Sequence, residues 1–423
     1  MNIKDIVKTI RNSKTIVNGS LFTVFSFLNK GISFVLLIIL ANYILPDDYG
    51  KLSLFSTAIT LLGYFIAYCT ENYLFISYFK YPIEEFKKDF TGIFVIASFN
   101  LILFGTILFI TKGFLFDYWG LTSREIFIGL VICYTTIFLN MLLDFMRIQE
   151  KVVKYGYVSV GFASVNFVLS ILFVAGLGIG WFGRIYAQVI CSSIAFFCAI
   201  IFFYKNDFFH FSFEKERFRR VLFWGIPMIP HLGTTWIRSG CDRFIINQFH
   251  GLNDVGLFSF ALNLAHIIIM IGGAFLNSYS VTIYKMLSDK SVLNKRQRLE
   301  SMIRRINFLY TIISLIIVFG GGLLIPIILP NYSGAIPFFI ILSLFAYVEC
   351  LYFSISSVLP FFNRNKDVMY VTFTTSILHL TLSFILTRYS LYYTCFIYVV
   401  VQLCIYFMIK RKVNVVLLKN NII

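Results

Sequence analysis

Lysine, arginine, acid and histidine side chains interrupt stretches of sequence that are otherwise apolar, and they mark where this chain can do chemistry. Lys30, Arg238 and Arg243 are the cations inside such stretches; Glu71, Asp242 and Glu349 are the deep acids. A charge near the middle of a membrane span costs about 2.5–3.5 kcal/mol on insertion scales, so it faces a cavity, a pathway or a partner. Basic side chains at such positions are charge-assisted hydrogen-bond donors. With His266, Asn263 and Thr60 nearby on polar helix faces, Lys30, Arg238 and Arg243 form the candidate substrate-binding set. Glu71, Asp242 and Glu349 are the ion-coupling candidates, either proton-linked or neutral and hydrogen-bonded. Arg238 and Asp242 are spaced i,i+4 and can neutralise each other on one helix, which leaves Arg243 pointing about 100° away. Asp144 and Arg147, near a helix end, read as an interfacial pair.

The elements that position these residues follow from composition. Hydrophobic residues make up 59% of the 423-residue chain and charged ones 13%, about half the charged share of soluble domains. About 20 apolar residues cross a hydrocarbon core as a helix, and lipid leaves no backbone group unpaired. Twelve spans are predicted at 17–45, 52–76, 91–111, 126–145, 156–178, 181–203, 221–249, 255–284, 306–328, 334–358, 368–387 and 390–409. The first is too long for a signal-peptide core and should be retained. The alternation of a β-barrel is missing.

The net charge of +16 invites a nucleic-acid reading, but its distribution excludes one. Of 36 Lys and Arg, 28 lie in the N-terminus, the even-numbered loops and the C-terminus. The odd-numbered loops hold Lys51, Lys112, Arg124, Arg184 and Arg388. This positive-inside bias puts both termini in the cytoplasm. The clusters Lys215–Arg217–Arg219–Arg220 and Lys295–Arg296–Arg298–Arg304–Arg305 then read as topology signals beside anionic lipid. The eight cysteines all fall in apolar spans without metal-ligand spacing and read as small buried hydrophobes.

The chain also repeats. Sliding it by 206 residues lays Asp48-Tyr49-Gly50 on Asp254-Val255-Gly256, Ser53 on Ser259, Thr57 on Asn263, Thr60 on His266 and Glu71 on Asn277. The expectation is an all-α polytopic membrane protein of about 12 helices in two six-helix lobes, residues 1–206 and 207–423. Six helices per copy make this a parallel repeat. Polar residues recur on one face of helix 1 (Thr23, Ser26, Lys30, Ser33), helix 2 (Ser53, Ser56, Thr60, Gly63, Thr70, Glu71), helix 7 (His231, Thr234, Thr235, Arg238, Asp242) and helix 8 (Ser259, Asn263, His266, Gly273, Asn277, Ser280). These stripes read either as the walls of a polar cleft between the lobes or as packing seams, where Ser, Thr, Gly and Asn are common.

No GxxxxGK[ST], HExxH or GxSxG motif occurs. Neither a metal nor a cofactor is called for, and the chain reads as a transporter, not an enzyme. It resembles the polysaccharide-exporter branch of the multidrug/oligosaccharidyl-lipid/polysaccharide (MOP) superfamily, the O-antigen flippases. The resemblance rests on Leu45-Pro46-Asp47-Asp48-Tyr49-Gly50, Gly225-Ile226-Pro227, Asp242-Arg243-Phe244-Ile245-Ile246, Val255-Gly256-Leu257-Phe258-Ser259, Arg147-Ile148-Gln149 and Leu329-Pro330-Asn331-Tyr332. It implies a two-lobed flippase of the bacterial inner membrane. Its cargo would be undecaprenyl-pyrophosphate-linked oligosaccharide, an O-antigen or capsule repeat unit, moved by alternating access through a cation-lined cavity. The bilayer, and polymerase and chain-length proteins of the same pathway, would be its partners; nucleic acid would not. A drug or cation antiporter of the same superfamily is the alternative, with a polytopic sugar polymerase behind it.

Overall fold

The computed structural model describes residues 14–211, 214–289 and 294–419; the side chains of 14–20, 112–118 and 277–278, Asn277 among them, lie outside the description. Every regular element among these residues is helical. In chain order they are α1 (Lys14–Ala41), α2 (Pro46–Ile66), α3 (Tyr73–Lys80), α4 (Ile83–Trp119), α5 (Ser123–Ile148), α6 (Val152–Ile171), α7 (Trp181–Lys205) and α8 (Lys215–Gly225). They continue with α9 (Met228–Ser239), α10 (Asp242–His250), α11 (Leu252–Ser288), α12 (Lys295–Ile328), α13 (Ile336–Ser356), α14 (Val358–Phe361), α15 (Asn365–Leu386) and α16 (Leu391–Lys419). Ten spans among the described residues are long and apolar enough to cross a membrane. An eleventh appears when α2 and Thr70–Lys80, bent by 61°, count as one.

The span expected at 221–249 is not one helix but three, α8, α9 and α10. Its sequence explains the breaks. Pro227 follows the end of α8 and has no N–H to continue it, whereas Pro230 sits in the first turn of α9, where none is needed. At Gly240 the amides of Gly240 and Cys241 both turn back to the Trp236 carbonyl, at 2.7 and 3.3 Å, and α10 starts afresh. The Arg238–Asp242 spacing therefore does not run along one helix.

The bend after α2 is built from a different device. Tyr68 and Cys69 are left-handed, with φ of 50° and 58°, a conformation that costs an L-residue roughly 1–2 kcal/mol. Asn100, buried on α4, donates to the freed carbonyls of Phe65 (3.2 Å) and Ile66 (3.0 Å). Those acceptors would otherwise stand unpaired away from water.

The helices pack as two compact units, Met1–Ile44 with Phe55–Leu232, and Leu45–Leu54 with Gly233–Ile423. Residues 207–232, placed with the second lobe from sequence, pack with the first unit instead. The cause is α8. Its Gly225 lies so close to the turn after α2 that a Cβ would sit 2.4 Å from the Tyr68 carbonyl oxygen. Its arginines also bind α4: fully buried Asp89 accepts from Arg220 (2.8 Å), Arg217 (3.4 Å) and Ser77 (2.5 Å). Arg217 further bonds Glu85 (2.9 Å) and Glu214 (2.7 Å), and that bond holds the Glu214 carboxyl below its ordinary range. Two of the four basic residues read as a topology signal are thus structural.

Within the second unit, the first turns of α2 cross α11, and positions 206 apart touch. Ser53 Oγ donates to Ser259 Oγ at 2.7 Å, and Asn253 donates to Asp47 at 3.3 Å. A Cβ on Gly50 would sit 2.2 Å from the Leu252 oxygen, and one on Gly256 would sit 1.9 Å from that of Pro46. Only glycine permits backbones this close. The duplication also shows inside each unit. Ser98 of α4 bonds Tyr134 of α5 at 2.8 Å, and Thr311 of α12 bonds Tyr347 of α13 at 3.0 Å, both pairs 36 residues apart.

Two stability predictions follow from this packing. Gly256→Ala should lower the thermal midpoint of the purified protein by several degrees, an overpacking cost of about 1–3 kcal/mol. Gly161→Ala, where nothing lies within 4 Å of the added carbon, should change it little. Asp89→Ala leaves Arg217 and Arg220 short of their buried acceptor and should cost about 3 kcal/mol, whereas Glu214→Ala on the surface should cost much less; denaturation in detergent ranks them.

Candidate functional site

Three faces can be read around α1. Phe22, Phe25, Asn29, Leu36 and Leu40 pack inward. The Phe25 ring lies against Gly156 of α6, where a Cβ would come within 2.3 Å of it, and Phe22 meets Tyr155 edge-on at 5.0 Å. The exposed remainder divides by chemistry. Leu21, Val24, Leu28 and Val35 form an aliphatic strip. Thr23, Ser26, Lys30 and Ser33, also exposed, fall within a sector of about 80° at 100° per residue, on the opposite side. Phe27 stands between the two strips. Lys30 is therefore exposed on a polar surface, separate from the aliphatic one that suits lipid.

The cations of the second unit have different fates. Arg243 is 8% exposed and held by three hydrogen bonds. Its Nε donates to Ser53 Oγ (2.6 Å) and Ser259 Oγ (3.2 Å), and its Nη1 to the Ser239 carbonyl (2.5 Å). Expected to hold substrate, it instead fastens the crossing of α2 and α11. Arg238 is half-buried on α9, and its Nε is shielded without an acceptor. No carboxylate among the described residues lies within 4 Å of Arg238 or Lys30. The Arg238 charge is felt at Glu349 and Tyr352 on α13.

Asp242 does not pair with Arg238. It is fully buried and bonded to His379 Nε2 of α15 at 2.8 Å, with the hydroxyls of Ser383 and Tyr398 close enough to act on it. One helical stretch further on, His250 Nε2 donates to the Thr387 carbonyl at 2.5 Å. Both bonds join residues 137 apart, so α10 runs parallel to α15. Sequence reasoning missed His379. The signal was present: Ser376, His379, Ser383 and Thr387 recur at helical spacing on α15, and all are buried.

The remaining candidates take local partners. Asn263 donates to the Tyr49 hydroxyl at 2.9 Å, and His266 is half-buried within reach of the Arg243 charge. Thr60, exposed in the first unit, gives its hydroxyl to the Ser56 carbonyl at 2.8 Å. Glu71 sits in the turn after the α2 bend; Asn72 donates to its Oε1 at 3.0 Å, while Oε2 is shielded without a donor. Asp144 and Arg147 form an ion pair at 2.5 Å.

Comparison with known proteins agrees with this architecture. A family model described as polysaccharide biosynthesis protein matches residues 16–284. No curated protein matches the chain. Among solved structures, the lipid II flippase MurJ in an inward closed conformation aligns with a TM-score of 0.74 at 13% identity, over 93% of this chain and 87% of that one. An inward-facing multidrug resistance transporter of the MATE family aligns at 0.70 and 12%, over 94% of both chains. A point mutant of the Vibrio cholerae MATE transporter VcmN aligns at 0.60 and 13%, over 95% and 98%. All share the fold. With a family model covering more than half its length, the chain belongs to the polysaccharide biosynthesis protein family.

Proposed function

We propose that this protein translocates a lipid-linked oligosaccharide carrying a pyrophosphate, of the undecaprenyl-linked O-antigen or capsule type, across the bacterial inner membrane by alternating access. The observation that carries the reading is the sorting of its intramembrane cations. Arg243 is spent on the fold, whereas Lys30 and Arg238 have no carboxylate within ion-pair distance among the described residues and keep exposed surface. A polar headgroup cannot cross hydrocarbon alone. A wet path with unspent cations shelters its phosphates, while the aliphatic strip of α1 faces the tail and the bilayer. The positive-inside charge pattern supports cytoplasmic termini, and polymerase and chain-length proteins are the expected partners.

A drug or cation antiporter on the same fold would need an unspent acid near its cargo. Asp242, the most buried acid of the second unit, is held by His379, so of the three predicted acids Glu71 and Glu349 are the ones left for that reading.

Lys30→Ala should reduce surface polysaccharide at least tenfold while the protein still inserts, since a charged hydrogen bond is worth about 2 kcal/mol. Lys30→Arg should retain part of the activity. Arg238→Ala should behave like Lys30→Ala, and Arg243→Ala should lower thermal stability first. Surface polysaccharide and membrane abundance, measured together, check the set; normal export by Lys30→Ala sinks the reading.

A further inference from the structure

Arg184 is a further cation with no carboxylate within 4 Å among the described residues. Counted with a loop from sequence, it is the fourth residue of α7 and half-buried. The end of α6 explains how it comes to lie there. After Ile171 the chain widens into a π-helical turn, Leu172–Gly176, closed by the Leu177 amide on the Leu172 carbonyl at 2.8 Å. Such turns are frequent at functional sites. The first turn of α7 then presses back on this one: a Cβ on Gly183 would lie 2.9 Å from the Phe173 carbonyl carbon. Arg184 is thereby laid across α6. Its Nη1 donates to Asn166 Oδ1 and to Ser170 Oγ, the latter at 3.0 Å. Ser170 is fully buried and is itself fixed by donating to the Asn166 carbonyl at 2.6 Å.

These two bonds hold the guanidinium in place without neutralising it. Both go through Nη1. Nε and Nη2 find no acceptor among the described residues, and neither is among the polar atoms sealed from water. Asn166 and Ser170 are uncharged, whereas Arg217 meets Glu85, Asp89 and Glu214. A guanidinium is a planar fork that binds the paired oxygens of a phosphate through two parallel N–H groups, and Nε with Nη2 is the edge left open. The depth of the site is set by α1, which packs on α6 through Phe22–Tyr155 and Phe25–Gly156. That offset of about 132 residues puts Asn166 level with about residue 34 of α1, roughly one turn beyond Lys30. We propose that Arg184, braced by Asn166 and Ser170, is an anion site of the first unit that takes two pyrophosphate oxygens on Nε and Nη2. This rests on the reading of the cargo as a pyrophosphate-bearing lipid. The first unit then offers the headgroup cations at two depths, Lys30 and Arg184.

The experiment uses the full-length protein in detergent, with farnesyl pyrophosphate as the probe, equilibrium dialysis to measure binding and thermal melting to show that each variant is folded. Arg184→Gln should bind about tenfold more weakly than the wild type. Arg184→Lys keeps the charge but not the fork and should fall between the two. Arg124→Gln controls for net charge. Arg124 lies over the Phe182 and Tyr186 rings at 5.6 and 5.7 Å, and those residues flank Arg184 at two positions either way, on the other side of α7; its loss should leave binding unchanged. Wild-type affinity in Arg184→Gln overturns the proposal even if melting falls, because the arginine is then only a brace between α6 and α7. Equal losses in Arg184→Gln and Arg124→Gln overturn it too, since net charge would explain both. Should Arg184→Gln fail to fold, the wild type carries the test: phenylglyoxal labelling of Arg184, read by mass spectrometry, should fall when the probe is bound. An Arg184 that is unlabelled without the probe, or labelled equally with it, overturns the site. Binding that Lys30→Ala weakens and Arg184→Gln does not removes this site alone. No binding by the wild type removes the pyrophosphate reading and the site together.

Discussion

The cost of a charge in hydrocarbon is the constraint on which the rest of this molecule depends. Each intramembrane cation or acid must be given a partner, buried with its hydrogen bonds met, or left facing water. The protein uses all three solutions. Asp242 takes His379, and Arg243 takes two serines and a carbonyl. Lys30 stays exposed on a polar strip of α1. What remains unspent, Lys30 and Arg238, is what a phosphate-bearing cargo would use.

The same constraint gives the signature residues a physical meaning. Tyr49, Gly50, Gly256, Ser259 and Tyr332 all carry the family resemblance, and each serves packing. Tyr332 is fully buried and meets the Tyr49 ring edge-on at 5.8 Å. The two glycines let backbones cross, and Ser259 closes the crossing through Ser53. These residues therefore identify the scaffold, and none of them is among the proposed cargo contacts.

Most of the helical fold was legible because membrane spans announce themselves by length and apolarity, and the repeat showed through its polar positions. The contact of Ser53 with Ser259 pairs residues that the slide aligned. The broken seventh span was not legible. Hydropathy averages over Pro227 and Gly240, and the break decided which side chains met. Once α9 and α10 separate, Asp242 turns to α15 and no longer shares a helix with Arg238. His379 was less legible because its neighbours on that face of α15 are the hydroxyls of Ser376 and Ser383, a stripe that reads equally as a packing seam. The basic run of α8 misled in the opposite sense: charge composition cannot distinguish an arginine facing lipid from Arg217, buried on Asp89 and Glu85.

The central claim is that the cargo is an anionic lipid-linked sugar. Its most direct measurement is leaflet exchange in proteoliposomes containing the purified protein. A fluorescent polyprenyl-pyrophosphate saccharide and a cationic dye are offered in parallel, and a membrane-impermeant quencher reports which leaflet holds the lipid. The account predicts protein-dependent exchange of the pyrophosphate lipid and no dye transport. Transport of the dye, with the lipid held in its starting leaflet, would contradict it.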